Sequence, residues 1–310
     1  MIDKVDFYLE TGDGHKLAIY TRGNPNMPPV IYLHGGPGAG MNEVDFNFFN
    51  LSKWYVIAFD QRGCGNSIPF GSLKNNLVPN GVDDIELIRK HFNIDKWVVF
   101  GGSYGSTLAL SYAIANPSRT LALVIRGIFL ARKEDIDWSF EEGGASLFHP
   151  DTFEEYKNFI PKEKQNNLVK SYYEIFSSND EEKKRLACKK WANWENSLIT
   201  LLPFKNPKEI TSYDLSSALL ECHFMMHNMG WKSDNYILDN VNKIENIPTY
   251  IVQGRYDQDC PPIGAWTLKN KLKNVKYFKI TEATGHLSHE KENEKELKKI
   301  MIMLSQELLK

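Results

Sequence analysis

Short apolar runs punctuate the first half of the chain, at residues 29–33, 55–59, 97–100 and 121–125. Each is rich in β-branched or aromatic residues and is bounded by Gly, Asp or Arg. Strands buried on both faces of a parallel sheet have this pattern. Residues 16–20 predict a further short strand. Between the runs, Val82, Ile85, Leu87, Ile88 and Phe92 fall at helical spacing, and residues 106–116 read as a small, apolar helix. Strands that alternate with helices predict βαβ units and a mostly parallel sheet.

The pattern changes near residue 130. From Lys133 to Asn246 the chain is rich in Trp, Tyr, Lys, Glu and Asn, lacks buried strand runs and reads as helical. Strand character returns at residues 249–252 and again at 275–280, where it alternates as an edge strand does. Leu297, Ile300, Met301, Leu304 and Leu308 then form the apolar stripe of a last helix. The expected architecture is α/β, with a discontinuous core (1–130 and 247–310) interrupted by a helical cap (131–246). Composition does not alter this picture. The 310 residues are 42% hydrophobic and 25% charged, with a formal net charge of −2. That balance favours neither nucleic acid nor an anionic membrane. The uncharged stretch 97–118 holds too many glycines and serines, and Pro117, to read as a membrane span. Cys64, Cys188, Cys222 and Cys260 lie far apart without metal spacing and read as reduced thiols. With no apolar leader at the start, they suggest a cytoplasmic protein.

Candidate chemistry sits at the ends of the predicted strands. Gly101-Gly102-Ser103-Tyr104-Gly105 follows one strand and precedes a helix. This is the context of a nucleophile elbow in the α/β-hydrolase fold, and it nominates Ser103. A serine hydroxyl needs a base, and the base an orienting acid, in the chain order Ser, acid, His. Asp257 follows the strand at 249–252 and His286 the strand at 275–280, which nominates them as acid and base. Asp259 is the rival acid and His289 the rival base. Two backbone N–H donors are expected to hold the oxyanion. One is Tyr104, after the nucleophile; the other is Gly36, in the loop His34-Gly35-Gly36-Pro37-Gly38.

Taken together, His34–Gly38, Asp60-Gln61-Arg62-Gly63-Cys64-Gly65-Asn66-Ser67, Gly101 to Leu110, Arg126-Gly127-Ile128-Phe129-Leu130 and Gly254-Arg255-Tyr256-Asp257 resemble the proline iminopeptidases (prolyl aminopeptidases). The resemblance spans nearly the whole chain. It implies a serine peptidase that removes N-terminal proline from short peptides through an acyl-enzyme, with no cofactor and no metal. It also implies that two cap carboxylates hold the substrate's amine. Trp191-Ala192-Asn193-Trp194-Glu195 and Glu221-Cys222-His223-Phe224 resemble those elements and put Glu195 and Glu221 in that role. A buried carboxylate pair suits a free amine, which it binds through charge-assisted hydrogen bonds. Tyr104 and the pair Ser139-Phe140 depart from the family's aromatic pattern, which implies a less strict preference for proline. The expected partner is a short peptide with a free N-terminus. Cys64 and Cys222 fall near the site motifs. His223 and His227 share a helix face without a third ligand nearby. A general esterase or amidase with the same triad, and a non-catalytic binding protein of this fold, are the alternative readings.

Overall fold

The computed structural model describes residue 2, residues 4–202 and residues 209–310. Residues 203–208, inside the predicted cap, and Met1 and Asp3 lie outside the described residues. The frame is an eight-stranded sheet made of β1 (Phe7–Glu10), β2 (Lys16–Gly23), β3 (Pro29–Leu33), β4 (Tyr55–Phe59), β5 (Trp97–Ser103), β6 (Thr120–Ile128), β7 (Thr249–Gly254) and β8 (Val275–Thr281). Its order is β1-β2-β4-β3-β5-β6-β7-β8. β2 runs antiparallel to both β1 and β4, and every other neighbouring pair is parallel. Alternate residues of each strand feed opposite cores, because successive side chains point to opposite faces. Ile31, Ile57, Val99, Leu123 and Ile251 pack on one face with α1 (Val78–His91) and α2 (Tyr104–Ala115). Val30, Val56, Val98, Val124 and Val252 pack on the other, against the C-terminal helix and Phe46 and Phe48.

The predicted runs mark the strands, but two strands extend beyond them. β5 continues through Gly101 and Gly102 to Ser103, since β6 offers pairing partners as far as Ile128. β6 itself continues to Ile128 through Arg126 and Gly127. β1 escaped prediction because a four-residue, half-buried edge strand has no apolar run to reveal it. β8 is the opposite edge of the sheet, as its alternation predicts.

Between β6 and β7 come α3 (Lys133–Phe140), α4 (Pro150–Asn158), α5 (Leu168–Phe176), α6 (Glu181–Leu198), α7 (Ser212–Met226) and α8 (Tyr236–Asp239). α3 to α7 share an aromatic core of their own. Tyr156 stacks on Tyr172 at 4.6 Å and Phe140 on Trp191 at 4.5 Å, with Trp194 and Phe153 beside them. Hydrogen bonds from α6 and α7 tie this layer to the sheet's loops. The Ile199 carbonyl, at the end of α6, accepts hydrogen bonds from the His286 and Leu287 amides at 3.1 and 3.2 Å. Ser216 Oγ, on α7, donates to the Gly38 carbonyl at 2.8 Å. The chain closes with α9 (Pro262–Lys271) and α10 (Lys291–Leu308).

The Asp60–Ser67 segment acts as a strut between these parts. Asp60 accepts hydrogen bonds from Tyr20 Oη and the Met41 and Asn66 amides. Gln61 Nε2 donates to the His34 carbonyl at 2.9 Å, and the Gln61 amide donates to His34 Nε2 at 3.0 Å, which leaves the imidazole proton on Nδ1. Arg62 forks onto both oxygens of Asp84 at 2.7 Å and also reaches Asp13. Both Arg62 and Asp84 are buried. Removing one member of such a pair leaves an uncompensated charge, so Arg62→Met should cost about 3–5 kcal/mol. The double variant with Asp84→Leu should recover most of that loss. Urea unfolding midpoints of the two variants check both expectations.

Candidate active site

The sharpest backbone feature of the molecule lies where β5 meets α2. Ser103 holds φ 60° and ψ −133°. A residue with a side chain in that region is strained by about 1–3 kcal/mol, and such strain persists only where the surroundings enforce it. Here the enforcement comes from close approach on either side. A Cβ on Gly101 would lie 2.2 Å from the Gly105 carbonyl oxygen, and one on Gly105 would lie 2.3 Å from that of Leu33. Only glycines let the turn tighten enough to lift Ser103 out at the sheet's carboxyl edge. Tyr104 begins α2 directly behind it, so its amide belongs to the positive end of that helix.

β7 and β8 end on the same edge, and their loops bring Asp257 and His286 together. His286 Nδ1 lies 3.0 and 2.9 Å from the two Asp257 oxygens. Two further donors hold that carboxylate: Gln253 Nε2 at 2.9 Å and the Cys260 amide at 2.8 Å. Gln253 also accepts from the Ile128 amide at 3.0 Å, which links β7 to β6 under the site. Arg126 Nη1 donates to the His286 carbonyl. The imidazole ring rests over Gly127 (φ +52°), where a Cβ would come 3.0 Å from His286 Cε1.

Neither rival takes the place of Asp257 or His286 in this pair. His289 pairs with Asp45 at 3.2 Å and stacks on Phe48 at 4.7 Å, away from Asp257. Asp259 is not a solvated loop carboxylate: its Oδ2 stands 3.4 Å from His286 Nε2, the side of the ring opposite Asp257. Ser139 Oγ on α3 donates to the Asp259 carbonyl at 2.8 Å, and Trp138 Nε1 donates to that of Gln258, also at 2.8 Å. These bonds fasten the Asp257–Cys260 loop to the layer above.

Ser103 opens into a small cavity that Gly36, Glu195, Glu221 and Asp259 also line, with Phe129, Phe140 and Met225 as its apolar wall. Among the described residues its room is about 20 Å³, close to that of one water. A larger hollow of about 630 Å³ runs along α10, but its lining of Lys, Glu, His289 and apolar residues holds neither Ser103 nor Asp257. Glu195 comes from α6 and Glu221 from α7. Trp191 Nε1 donates to Glu221 Oε2 at 2.7 Å, whereas the buried Glu221 Oε1 has no donor among the described residues. Burial, followed by the neighbouring Glu221 and Asp259 charges, pushes the Glu195 carboxyl well above the ordinary carboxylate range. Burial likewise raises Glu221, to about 7, against the pull of Trp191 and of the adjoining Glu195. Burial also raises Asp259, and His286 and Arg126 partly offset that rise.

Cys260 lines the cavity, whereas Cys64 bonds the Gln61 carbonyl and Cys222 the Val169 carbonyl, both outside the cavity's lining. The sequence placed Cys64 and Cys222 near the site and overlooked Cys260. Donor atoms of Asp259, Cys260 and His286 lie within 4.8 Å of one another and could hold a metal ion. Burial and the Asp259 and Asp257 charges push the Cys260 thiol far up, which opposes the thiolate a soft metal requires. On α7, burial and then His227 push His223 down to about 4. Gln253, the contact of Gly127 with the imidazole and the placement of Asp259 were also beyond sequence reasoning. Gln253 left one faint signal, a polar residue at the end of a buried strand.

No described helix is long and apolar enough to cross a membrane. Residues 28–293 match the family model of the alpha/beta hydrolase fold. The chain is 42% identical over 280 residues to a proline iminopeptidase of Neisseria meningitidis, covering 90% of this chain and 89% of that one. It is 41% identical over 286 residues to a proline iminopeptidase of Arabidopsis thaliana, covering 91% and 75%. Among solved structures it is similar to the proline iminopeptidase of Mycobacterium smegmatis, at TM-score 0.57 and 19% identity over 98% and 97% of the two chains. An esterase of Exiguobacterium antarcticum matches at TM-score 0.60 and 18% identity, over 96% and 98%. Those two likenesses speak for the fold, and the closer sequence relatives speak for the family. The chain belongs to the proline iminopeptidase family of α/β-hydrolases.

Proposed function

We propose that the protein is a serine aminopeptidase that releases N-terminal proline, and other small N-terminal residues, from short peptides. The observation that carries this reading is one cavity holding Ser103 and two carboxylates, Glu195 and Glu221, brought from different helices. An esterase needs no such pair. An exopeptidase does, because it must find a free ammonium at a fixed distance from the bond it cuts.

The mechanism follows from the placement of each group. The ammonium displaces the proton shared by Glu195 and Glu221 and pairs with both carboxylates. That pairing sets the first carbonyl carbon against Ser103. His286 Nε2 takes the Ser103 proton as Oγ attacks, while Asp257 holds Nδ1–H and stabilises the imidazolium. The Tyr104 and Gly36 amides receive the oxyanion. His286 then protonates the leaving amine, and water releases the acyl group by the reverse sequence. Residues 131–246 serve as a cap over the site. With room for about one water, the cavity admits a prolyl residue only when cap side chains move outward. Four buried, unpaired cysteines support a reducing, cytoplasmic setting.

Several variants separate this reading from a general esterase. The wild type should cleave Pro-arylamide far faster than a neutral aryl ester, and Ser103→Ala should abolish both activities. Ester cleavage without aminopeptidase activity would reject the proposal. Glu195→Gln should raise KM for Pro-arylamide about tenfold or more, given charge-assisted bonds of about 1.5–3 kcal/mol, and leave KM for the ester unchanged. Glu221 carries its charge above about pH 7 and loses it below, and Glu195 beside it is likewise held above the ordinary carboxylate range. KM for the cationic substrate should therefore climb as pH falls through about 7, while KM for the ester stays flat. Gly127→Ala puts a methyl group against the imidazole. It should lower kcat for both substrates by about 10²-fold, the typical effect of a 1 Å misplacement, with KM little changed. Steady-state kinetics over a pH series tests all of these.

A further inference from the structure

Three carboxylates, not two, face the cavity beside Ser103. Asp259 joins Glu195 and Glu221 in its lining, and its charge acts on both glutamates. Its position is set from two sides. Ser139 Oγ grips its carbonyl from α3, and the Cys260 thiol approaches its Oδ2 at 3.6 Å. Oδ2 stands 3.4 Å from His286 Nε2, which puts the carboxylate at the edge of the cavity where bond cleavage takes place. The cavity also contains an acceptor awaiting a donor: Glu221 Oε1 is buried and without a partner among the described residues.

The number of acceptors can be set against the number of donors a substrate brings. The secondary ammonium of an N-terminal proline has two N–H bonds, which Glu195 and Glu221 already satisfy. A primary α-ammonium has three. When proline is bound, Asp259 is left with His286 and Cys260 alone, as a desolvated carboxylate beside the catalytic base. When a residue such as alanine is bound, the third N–H meets Asp259 and that desolvation is compensated by a charge-assisted bond. The wall of Phe129, Phe140 and Met225 is apolar, so once cap side chains move outward it suits a small apolar side chain as well as a pyrrolidine ring. Ser139 lines the cavity from the α3 side.

We propose that Asp259 is a specificity-determining residue, the third acceptor for the substrate's α-ammonium, which extends the enzyme's substrates from N-terminal proline to small residues with a primary amine. The inference rests on the aminopeptidase reading above.

The test is the ratio of kcat/KM for Ala-arylamide to kcat/KM for Pro-arylamide, measured in the wild type, Asp259→Val and Asp259→Asn, with a neutral aryl ester as reference. Taking the ratio within one preparation removes differences in folded fraction. The Ala/Pro ratio should fall about tenfold or more in Asp259→Val, through a raised KM for Ala-arylamide, and less in Asp259→Asn, which keeps an acceptor oxygen without its charge. A purely structural role would lower both activities together and leave the ratio unchanged, and that result overturns the inference. Should Asp259→Val lose both activities, the Asp259→Asn ratio decides by the same criterion. A wild type that cleaves Pro-arylamide but not Ala-arylamide overturns this inference alone. A wild type that cleaves neither while hydrolysing the ester overturns the aminopeptidase reading with it.

Discussion

Glu195 and Glu221 converge on one small cavity, and the strongest charges acting on Glu195 are themselves carboxylates: Glu221, Asp259 and Asp214. Like charges in a desolvated space cannot all ionise, so the empty site holds a proton that it would exchange for a cation. The rest of the molecule resists the obvious relief of moving these groups apart. α6 carries Glu195 and ends on the Ile199 carbonyl that holds the His286 loop. α7 carries Glu221 and is pinned at Ser216 to the Gly38 carbonyl, next to the proposed oxyanion loop. Trp191 packs in the aromatic core shared by α3 to α7 and gives its indole N–H to Glu221. In the proposed reading, the carboxylate pair and Ser103 are thus referenced to the same loops, so that a peptide is measured from its N-terminus.

The sheet supplies the other half of the geometry. Four strands of the parallel part of the sheet, β3, β5, β7 and β8, end on one edge, and their ends and following loops carry Gly36, Ser103, Asp257 and His286 in turn. In open α/β sheets ligands gather outside the carboxyl ends of the strands for this reason. Holding Asp257 and His286 together takes further contacts. Gln253 and the Cys260 amide fill the remaining acceptor positions of Asp257, and Gly127 leaves the imidazole its resting place. These contacts lie far apart in sequence.

What could be read in advance follows from that distinction. Period-two and period-3.6 patterns, and a Gly-flanked serine after a strand, are local signals, so the core strands, α1, α2 and Ser103 were visible in the sequence. The chain order of acid and base narrowed the choice to Asp257 and His286, which the fold brings together. Asp257 and Asp259 differ by two residues in one loop, and no sequence pattern says that they flank opposite nitrogens of one ring. The neighbourhood of Cys260 was hidden for the same reason. Glu195 reads locally as a solvated helix glutamate, and only the resemblance to a known family singled it out. The helices between β6 and β7 were legible only as a helical region, because aromatic side chains buried against one another leave no clean stripe.

The central claim is that a free amine is recognised within reach of Ser103. The most direct measurement is mass-spectrometric labelling by a serine-reactive aryl phosphonate with competing small amides. The account predicts a single adduct on Ser103, with labelling slowed by L-prolinamide and unaffected by N-acetyl-L-prolinamide, which has the same ring but no cationic amine. An adduct elsewhere, or equal protection by the two amides, would contradict it.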